Sequence, residues 1–263
     1  MFIRLFIFLQ ILYLPFTTCV NASELTGYDI AYKSYHVENG DDMKAMMMMK
    51  IVKPGGTITK RDVEYYRKDF GQETRSVYVI KSPPNVKGTA LLTWAHPDKE
   101  TYQWVYFPAL NKVTRIGSSS QSKEFLGSDA SYEDLSLRNL NKDEFKLIRK
   151  EDLDSIPCYV VEAISKDQDE IFTKRIYWIR KDNFLIVKVE YYDNSGTMVK
   201  RMLTNNIVKI GNIWTILSYK MENLKTHGYS ILEQYNIEYN TDLSERMFRV
   251  QGLKNDPSLR YQE

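Results

Sequence analysis

The feature that most constrains this chain is a succession of short β-rich segments, each closed by turn-forming residues. Residues 43–52 end at Lys53-Pro54-Gly55-Gly56, and 57–70 and 73–81 follow. Ser82-Pro83-Pro84 interrupts before 88–95 and 102–107. After a strand-like run around Cys158, strands are expected at 174–180, 185–192, 198–208, 213–221 and 229–239. Asp193-Asn194-Ser195-Gly196 and Lys209-Ile210-Gly211-Asn212 have hairpin-turn composition. The spacing is that of an antiparallel meander, and the absence of β–α–β alternation argues against a doubly wound sheet. The 19 Tyr, 11 Phe and 4 Trp strengthen the case, because aromatic side chains favour strands. Helices should be few, at 25–35, at 131–140 (Ser131 and Asp134 spaced like a capping box) and at 244–248.

The first 22 residues read as a cleaved secretory signal. Met1 to Arg4 supplies a short positive region, Leu5 to Leu14 is apolar except for Gln10, and Val20-Asn21-Ala22 has a small-residue cleavage pattern. Phe16-Thr17-Thr18 fits a lipid-modified Cys19 poorly. The expected mature chain, 23–263, is a single domain with no later segment apolar enough for a membrane helix. It keeps one cysteine, Cys158, so no internal disulfide holds it. The apolar neighbourhood of Cys158 favours a buried structural thiol over a nucleophile.

Strand alternation separates candidate surfaces. Met43, Ala45, Met47, Met49 and Ile51 share one face, within a run of four consecutive methionines. Met is flexible and polarizable and suits an apolar surface that must fit varied ligands, although it also fills ordinary cores. Tyr229, Ile231 and Tyr235 share a face of the last long strand. Residues 57–70 carry charge on both faces and are expected to form an exposed or edge-like strand. A sheet with one apolar face and some wet strands fits an open barrel or a sandwich equally.

Chemical motifs are scarce. His36, His96 and His227 lack metal-ligand spacing, and neither a nucleophile elbow nor a phosphate-binding glycine loop is present. Neither a catalytic residue nor a metal or cofactor is expected. The net charge of +2, with basic residues scattered, disfavours nucleic-acid binding. The densest polar group is Gly127-Ser128-Asp129-Ala130-Ser131-Tyr132-Glu133-Asp134-Leu135. Its carboxylates could bind a cation or serve acid–base chemistry, but Ser and Asp at this density more often build caps and turns.

Several stretches together are familiar. Pro83-Pro84-Asn85-Val86-Lys87-Gly88 precedes Gln103-Trp104-Val105-Tyr106-Phe107-Pro108, and Phe125-Leu126-Gly127-Ser128-Asp129 continues into Tyr132-Glu133-Asp134. Glu190-Tyr191-Tyr192-Asp193 and Met221-Glu222-Asn223 come later. In this order the chain resembles the LolA-like outer-membrane lipoprotein-sorting family, in the branch associated with exporters of the resistance-nodulation-division type. The resemblance implies a mainly β fold, an incomplete antiparallel β-barrel with a few short helices covering one side. It also implies a monomeric, non-enzymatic periplasmic carrier of lipoprotein or lipid acyl chains with an inner-membrane exporter as partner. A non-catalytic accessory subunit of such an exporter is the alternative. Cavity-lining candidates taken from strand faces are Met47, Met49, Leu91, Tyr229, Ile231 and Tyr235, with Trp94 as the choice should the other face of its strand be concave.

Overall fold

The structure is a computed structural model that describes residues 24–254 except 168. The expected signal, 1–22, lies outside the described residues. After helix α1 (Gly27–Tyr35) come β1 (Asp42–Val52), β2 (Ile58–Phe70), β3 (Glu73–Ser82), β4 (Ala90–Ala95), β5 (Tyr102–Phe107) and β6 (Lys112–Ile116). A connection through 117–142 leads to β7 (Asp143–Leu153), β8 (Ile156–Ser165), β9 (Lys174–Arg180), β10 (Ile186–Tyr192), β11 (Met198–Ile210), β12 (Ile213–Asn223) and β13 (Gly228–Tyr239).

All 13 strands form one antiparallel sheet in the order β6-β5-β4-β3-β2-β1-β13-β12-β11-β10-β9-β8-β7. Two meanders therefore meet where β1 pairs with β13. The sheet does not close, so β6 and β7 are its edges. This is the mainly β, incomplete-barrel architecture that the resemblance implied. The segment between the edges crosses the concave face and plugs it. Phe125, Ala130 and Leu135 are buried there against Met47, Met49, Ile51, Val63, Tyr78, Leu91 and Leu232.

Helix α1 lies on the same face, over β7–β9. Thr26 caps it in a reciprocal box with Asp29: Asp29 N donates to Thr26 Oγ1 (3.1 Å) and Thr26 N to Asp29 Oδ2 (2.9 Å). Ile30 and Ala31 point inward, and Ile30 packs with Val161 and Ile179. Gly27 is required by contact: a Cβ there would sit 2.6 Å from the backbone of Lys146 and Leu147. The opposite, convex face of β2–β4 is covered by the chain after β13, through Leu243, Met247, Phe248 and Leu253.

Three sequence expectations change. Residues 131–140 do not form a helix: the structure has short 3-10 turns at Glu133–Leu135 and Leu140–Lys142. The Ser131–Asp134 box does form, with Ser131 N donating to Asp134 Oδ2 (2.6 Å) and Asp134 N to Ser131 Oγ (3.3 Å). A single box cannot nucleate a helix against stronger pulls from the sheet. Residues 57–70 are not an edge: β2 is inside the sheet, between β1 and β3. Several of its charges are met in place, although Arg61 Nε and Nη1 are buried without a partner among the described residues. Glu64 pairs with Lys81 (3.2 Å), Ser82 Oγ donates to Asp62 (2.6 Å), and Arg67 pairs with Asp69 (2.9 Å). Strands β6 and β7 were not foreseen. β7 (DEFKLIRKEDL) is charge-rich, and the periodicity of one half-covered edge strand is weak.

Phe125 is fully buried under the connection. Phe125→Ala should lower stability by about 3–5 kcal/mol, read as a urea midpoint shift, because the sheet cannot collapse into the vacated space.

Candidate functional site: a cavity on the concave face

Strand register decides which side chains share the concave face. Met47, Met49 and Ile51 stand opposite Gln234, Leu232 and Ser230 of β13, and Met47 opposite Val63 of β2. Tyr65 continues to Tyr78 on β3 and then to Leu91 on β4. Past β13 the same face carries Tyr219 and Met221. The plug covers the Met49–Ile51 end of this surface. Toward the other strand ends it leaves a cavity of about 280 Å³. Met43, Met47, Tyr65, Tyr78, Leu137 and Tyr219 form much of its wall. Half-buried Asn39, Leu185, Trp214 and Tyr239 stand at its mouth, whereas Met47 deeper in is only 2% exposed.

The lining mixes apolar and aromatic side chains with polar ones, among them Thr74, Ser76, Thr93 and Gln234 and the paired charges of Arg67 and Asp134, so a ligand meets apolar wall and hydrogen-bonding groups together. The Tyr65 and Tyr78 rings lie 4.7 Å apart. Burial pushes both hydroxyls up, Tyr78 far above the ordinary tyrosine range, and burial also raises Tyr219. These tyrosines stay neutral hydrogen-bonding tips in an apolar wall. Arg67 is buried but fully engaged: NH1 donates to Asn39 Oδ1 and Asp69 Oδ1 (2.9 Å each) and NH2 to Gly40 O (2.8 Å). It fixes the entry loop of β1 and is not free for a ligand. Gln234 Oε1 is buried without a partner among the described residues, an acceptor available to a ligand donor. A separate apolar space of about 90 Å³ lies beneath α1, between Ala31, Phe145, Tyr177 and Ile179. Leu137 lines both spaces.

The polar motif of the connection fastens the plug. Asp129 N donates to Ser230 Oγ (2.9 Å), which donates back to Asp129 Oδ2 (2.7 Å). Glu133 pairs with Arg138 and with Arg175 (3.1 Å). Arg138 holds Asp143 (2.6 Å) and Glu170 (2.8 Å) as well. Asp134 pairs with Lys200 and accepts the Tyr191 hydroxyl (3.0 Å). Burial works to raise the Asp134 carboxyl, but Lys200 and Ser131 outweigh it and hold the group below the usual carboxylate range. Among the described residues no three His, Cys, Asp or Glu side chains converge on a metal site. Cys158 is fully buried, and desolvation raises its thiol above the ordinary range, as expected of a structural cysteine.

Of the residues singled out in the sequence, the structure puts Met47, Met49 and Leu91 on the concave face. Met47 lines the cavity; Met49 and Leu91 pack under the plug. Trp94, Tyr229, Ile231 and Tyr235 lie on the opposite face, away from it. Trp94 stands opposite Arg75, its ring 4.1 Å from that guanidinium, and its Nε1 donates to Phe248 O (3.0 Å). Tyr229, Ile231 and Tyr235 pair with Val52, Lys50 and Met46, which face outward. The shared face of these three was legible; its orientation relative to Met47 depends on register, which no single strand carries. Tyr65, Tyr78, Leu137, Trp214 and Tyr219 were missed. Alternation of β2 and β3 paired in register would have found the first two.

A family model whose description is that of an uncharacterized protein matches residues 72–255, most of the chain. No curated protein matches the sequence. Among solved structures, a DUF1329 family protein from Desulfovibrio piger superposes with a TM-score of 0.81 at 29% identity, over 86% of this chain and 97% of that one. A putative outer membrane lipoprotein-sorting protein domain from Vibrio parahaemolyticus gives 0.82 at 28%, over 87% and 98%. A LolA superfamily protein from Nitrosomonas europaea shares the fold, at 0.68 and 23%, over 86% and 98%.

Because the folded-state pKa of Asp134 is depressed, its contribution to stability is complete above the unfolded value, about 3.9, and fades as pH falls through the lower folded value. Asp134→Asn should cost about 3–5 kcal/mol near neutral pH by leaving Lys200 buried without its partner. The difference between wild type and variant should shrink below about pH 4, measured by urea unfolding across pH.

Proposed function

This chain belongs to the DUF1329 family of LolA-like proteins, and from that premise we propose that it is a non-enzymatic carrier of acyl chains. It works in the periplasm, sheltering the chain of a lipid or lipoprotein on its way toward the outer membrane. The observation that carries this reading is the cavity on the concave face of an unclosed sheet, walled in part by Met43, Met47, Leu137 and four tyrosines. Water is the competitor. Each methylene withdrawn from it gains about 0.8 kcal/mol, so a modest apolar enclosure suffices for binding. Neutral tyrosines and flexible Met43 and Met47 hold the chain by dispersion and shape, without an ion pair that would slow release.

The cavity of about 280 Å³ sits at the lower edge of ligand pockets, roughly 300–1,000 Å³. A rotation of half-buried Leu137, which separates it from the space beneath α1, would join the two and lengthen the channel. The putting together of an exporter and its cargo follows the same logic. An inner-membrane exporter of the resistance-nodulation-division type is the partner that the sequence resemblance suggests, supplying or receiving the chain at the cavity mouth.

Native mass spectrometry of the mature protein from a periplasmic extract should show a stoichiometric acylated species, and the purified protein should take up a fluorescent fatty-acid probe. Leu137→Asp, half-buried and on a loop, should keep the circular-dichroism spectrum and weaken probe binding by about tenfold or more, since a desolvated carboxylate replaces an apolar contact. A clean apo mass together with no probe uptake by the wild type would reject the carrier and leave an accessory subunit that acts through protein contacts.

A further inference from the structure

Beside the cavity mouth lies a second depression, of about 390 Å³, lined by Tyr32 and Lys33 of α1, His36 just after it, Asn183 and Phe184 of the β9–β10 turn, and Trp214 of β12. Trp214 lines both spaces, which places them side by side.

Its chemistry favours an anionic oxygen ligand. Asn183 Nδ2 is buried with no partner among the described residues, while the Oδ1 of the same amide accepts Leu185 N (3.1 Å). A buried donor left unpaired is costly, and an incoming oxygen would satisfy it. Lys33 forms no ion pair among the described residues, and its ammonium sits 5.4 Å from the Phe184 ring. Of the two carboxylates at the rim, Asp182 is neutralised by Arg180, and Glu38 keeps its charge but is held by a backbone amide. Asp182 accepts Arg180 Nε (2.9 Å) and NH2 (2.6 Å), and Glu38 Oε1 accepts Gly40 N (2.9 Å). Further positive charge stands behind Trp214, with Lys209 5.9 Å from its ring.

The backbone supports the same assignment. Phe184 is held at φ 57°, a left-handed conformation that is unfavourable for a bulky side chain. Phe184 N donates to Arg180 O (3.0 Å) and Arg180 N to Leu185 O (2.9 Å), so the turn is locked despite that cost. The locked turn sets the aromatic ring and the Asn183 amide on the same depression, and such strain gathers where a site must be preformed.

We propose that this depression binds the phosphate headgroup of an anionic amphiphile whose acyl chain occupies the neighbouring cavity. The chain part rests on the carrier reading; the headgroup part rests on Lys33, Asn183 and the aromatic walls. Lys33 and the Asn183 amide would donate to phosphate oxygens, and Tyr32 and Trp214 would cover the glycerol or first methylenes with amphipathic rings.

The test is displacement of a fluorescent fatty-acid probe by dodecyl phosphate and by dodecanol, on wild type and on Lys33→Gln, with calorimetry of glycerol phosphate alone. Dodecyl phosphate should bind wild type about tenfold or more tightly than dodecanol, and Lys33→Gln should remove that preference. Equal affinity of wild type for the two amphiphiles would overturn the headgroup site and leave the carrier standing. Failure of both to bind would overturn the carrier reading and the proposal with it. Equal weakening of both by Lys33→Gln would make Lys33 a structural residue and refute its role here. Glycerol phosphate binding as tightly as dodecyl phosphate would identify a site for free phosphate and overturn the lipid assignment.

Discussion

An open sheet of 13 strands has two edges, and this chain must travel from one to the other between β6 and β7. That single connection determines most of what is distinctive about the molecule. It takes the short route across the concave face, so it must fill what would otherwise be a wide trough. Its apolar side chains, Phe125 above all, become core, and its backbone needs hydrogen bonds from whatever it crosses. The concave face is thereby divided into a packed half under the plug, a cavity toward the other strand ends, and a small space beneath α1.

Polar anchoring of the connection follows from the same constraint. A loop laid on a sheet has no ladder partner for its amides, so side chains substitute. Gln103 Nε2 reaches Tyr132 O (2.8 Å), Gln121 Nε2 reaches Thr101 O (3.0 Å), and Ser230 clasps Asp129. The buried charges work in groups. Arg138 and Arg175 share Glu133 and Glu170, and Asp134 has Lys200, Tyr191 and Ser131 around it. Such pairs add little net stability over a well-packed apolar equivalent, but removing one partner is expensive, so they fix where the loop lies. The densest carboxylate motif in the sequence is thus spent on positioning, and the charges that reach the cavity wall, Asp134 and Arg67, are paired with Lys200 and Asp69.

Binding and release place opposite demands on such a cavity. The proposed carrier has to exclude water from its cargo yet let it go, and tyrosines, uncharged at neutral pH, offer ring surface and a hydrogen-bonding tip without an ion pair. The outer face shows the contrast. There Arg75 is held between Phe70 and Trp94, and the chain after β13 lies across Val77, Val79 and Leu92. Aromatic residues on the two faces are chemically alike, but on one side they are sealed by the chain itself and on the other they border open space.

The sequence by itself determined the mainly β class, most strand positions, the helix within 25–35, and the alternation that puts Met47 and Met49 on one face. Those are local properties: period, turn chemistry and capping are set by residues within a few positions of each other. Tertiary structure alone decided which face is concave, and therefore that Leu91 turns inward while Trp94, Tyr229, Ile231 and Tyr235 turn outward. It also decided that β2 is central despite its charges, that 131–140 is a tethered loop, and that Trp214 and Leu137 stand at a cavity. Each of these depends on register and curvature between strands far apart in the chain, such as β1 against β13. A one-residue slip would exchange the two faces, and no residue carries that information without its partner.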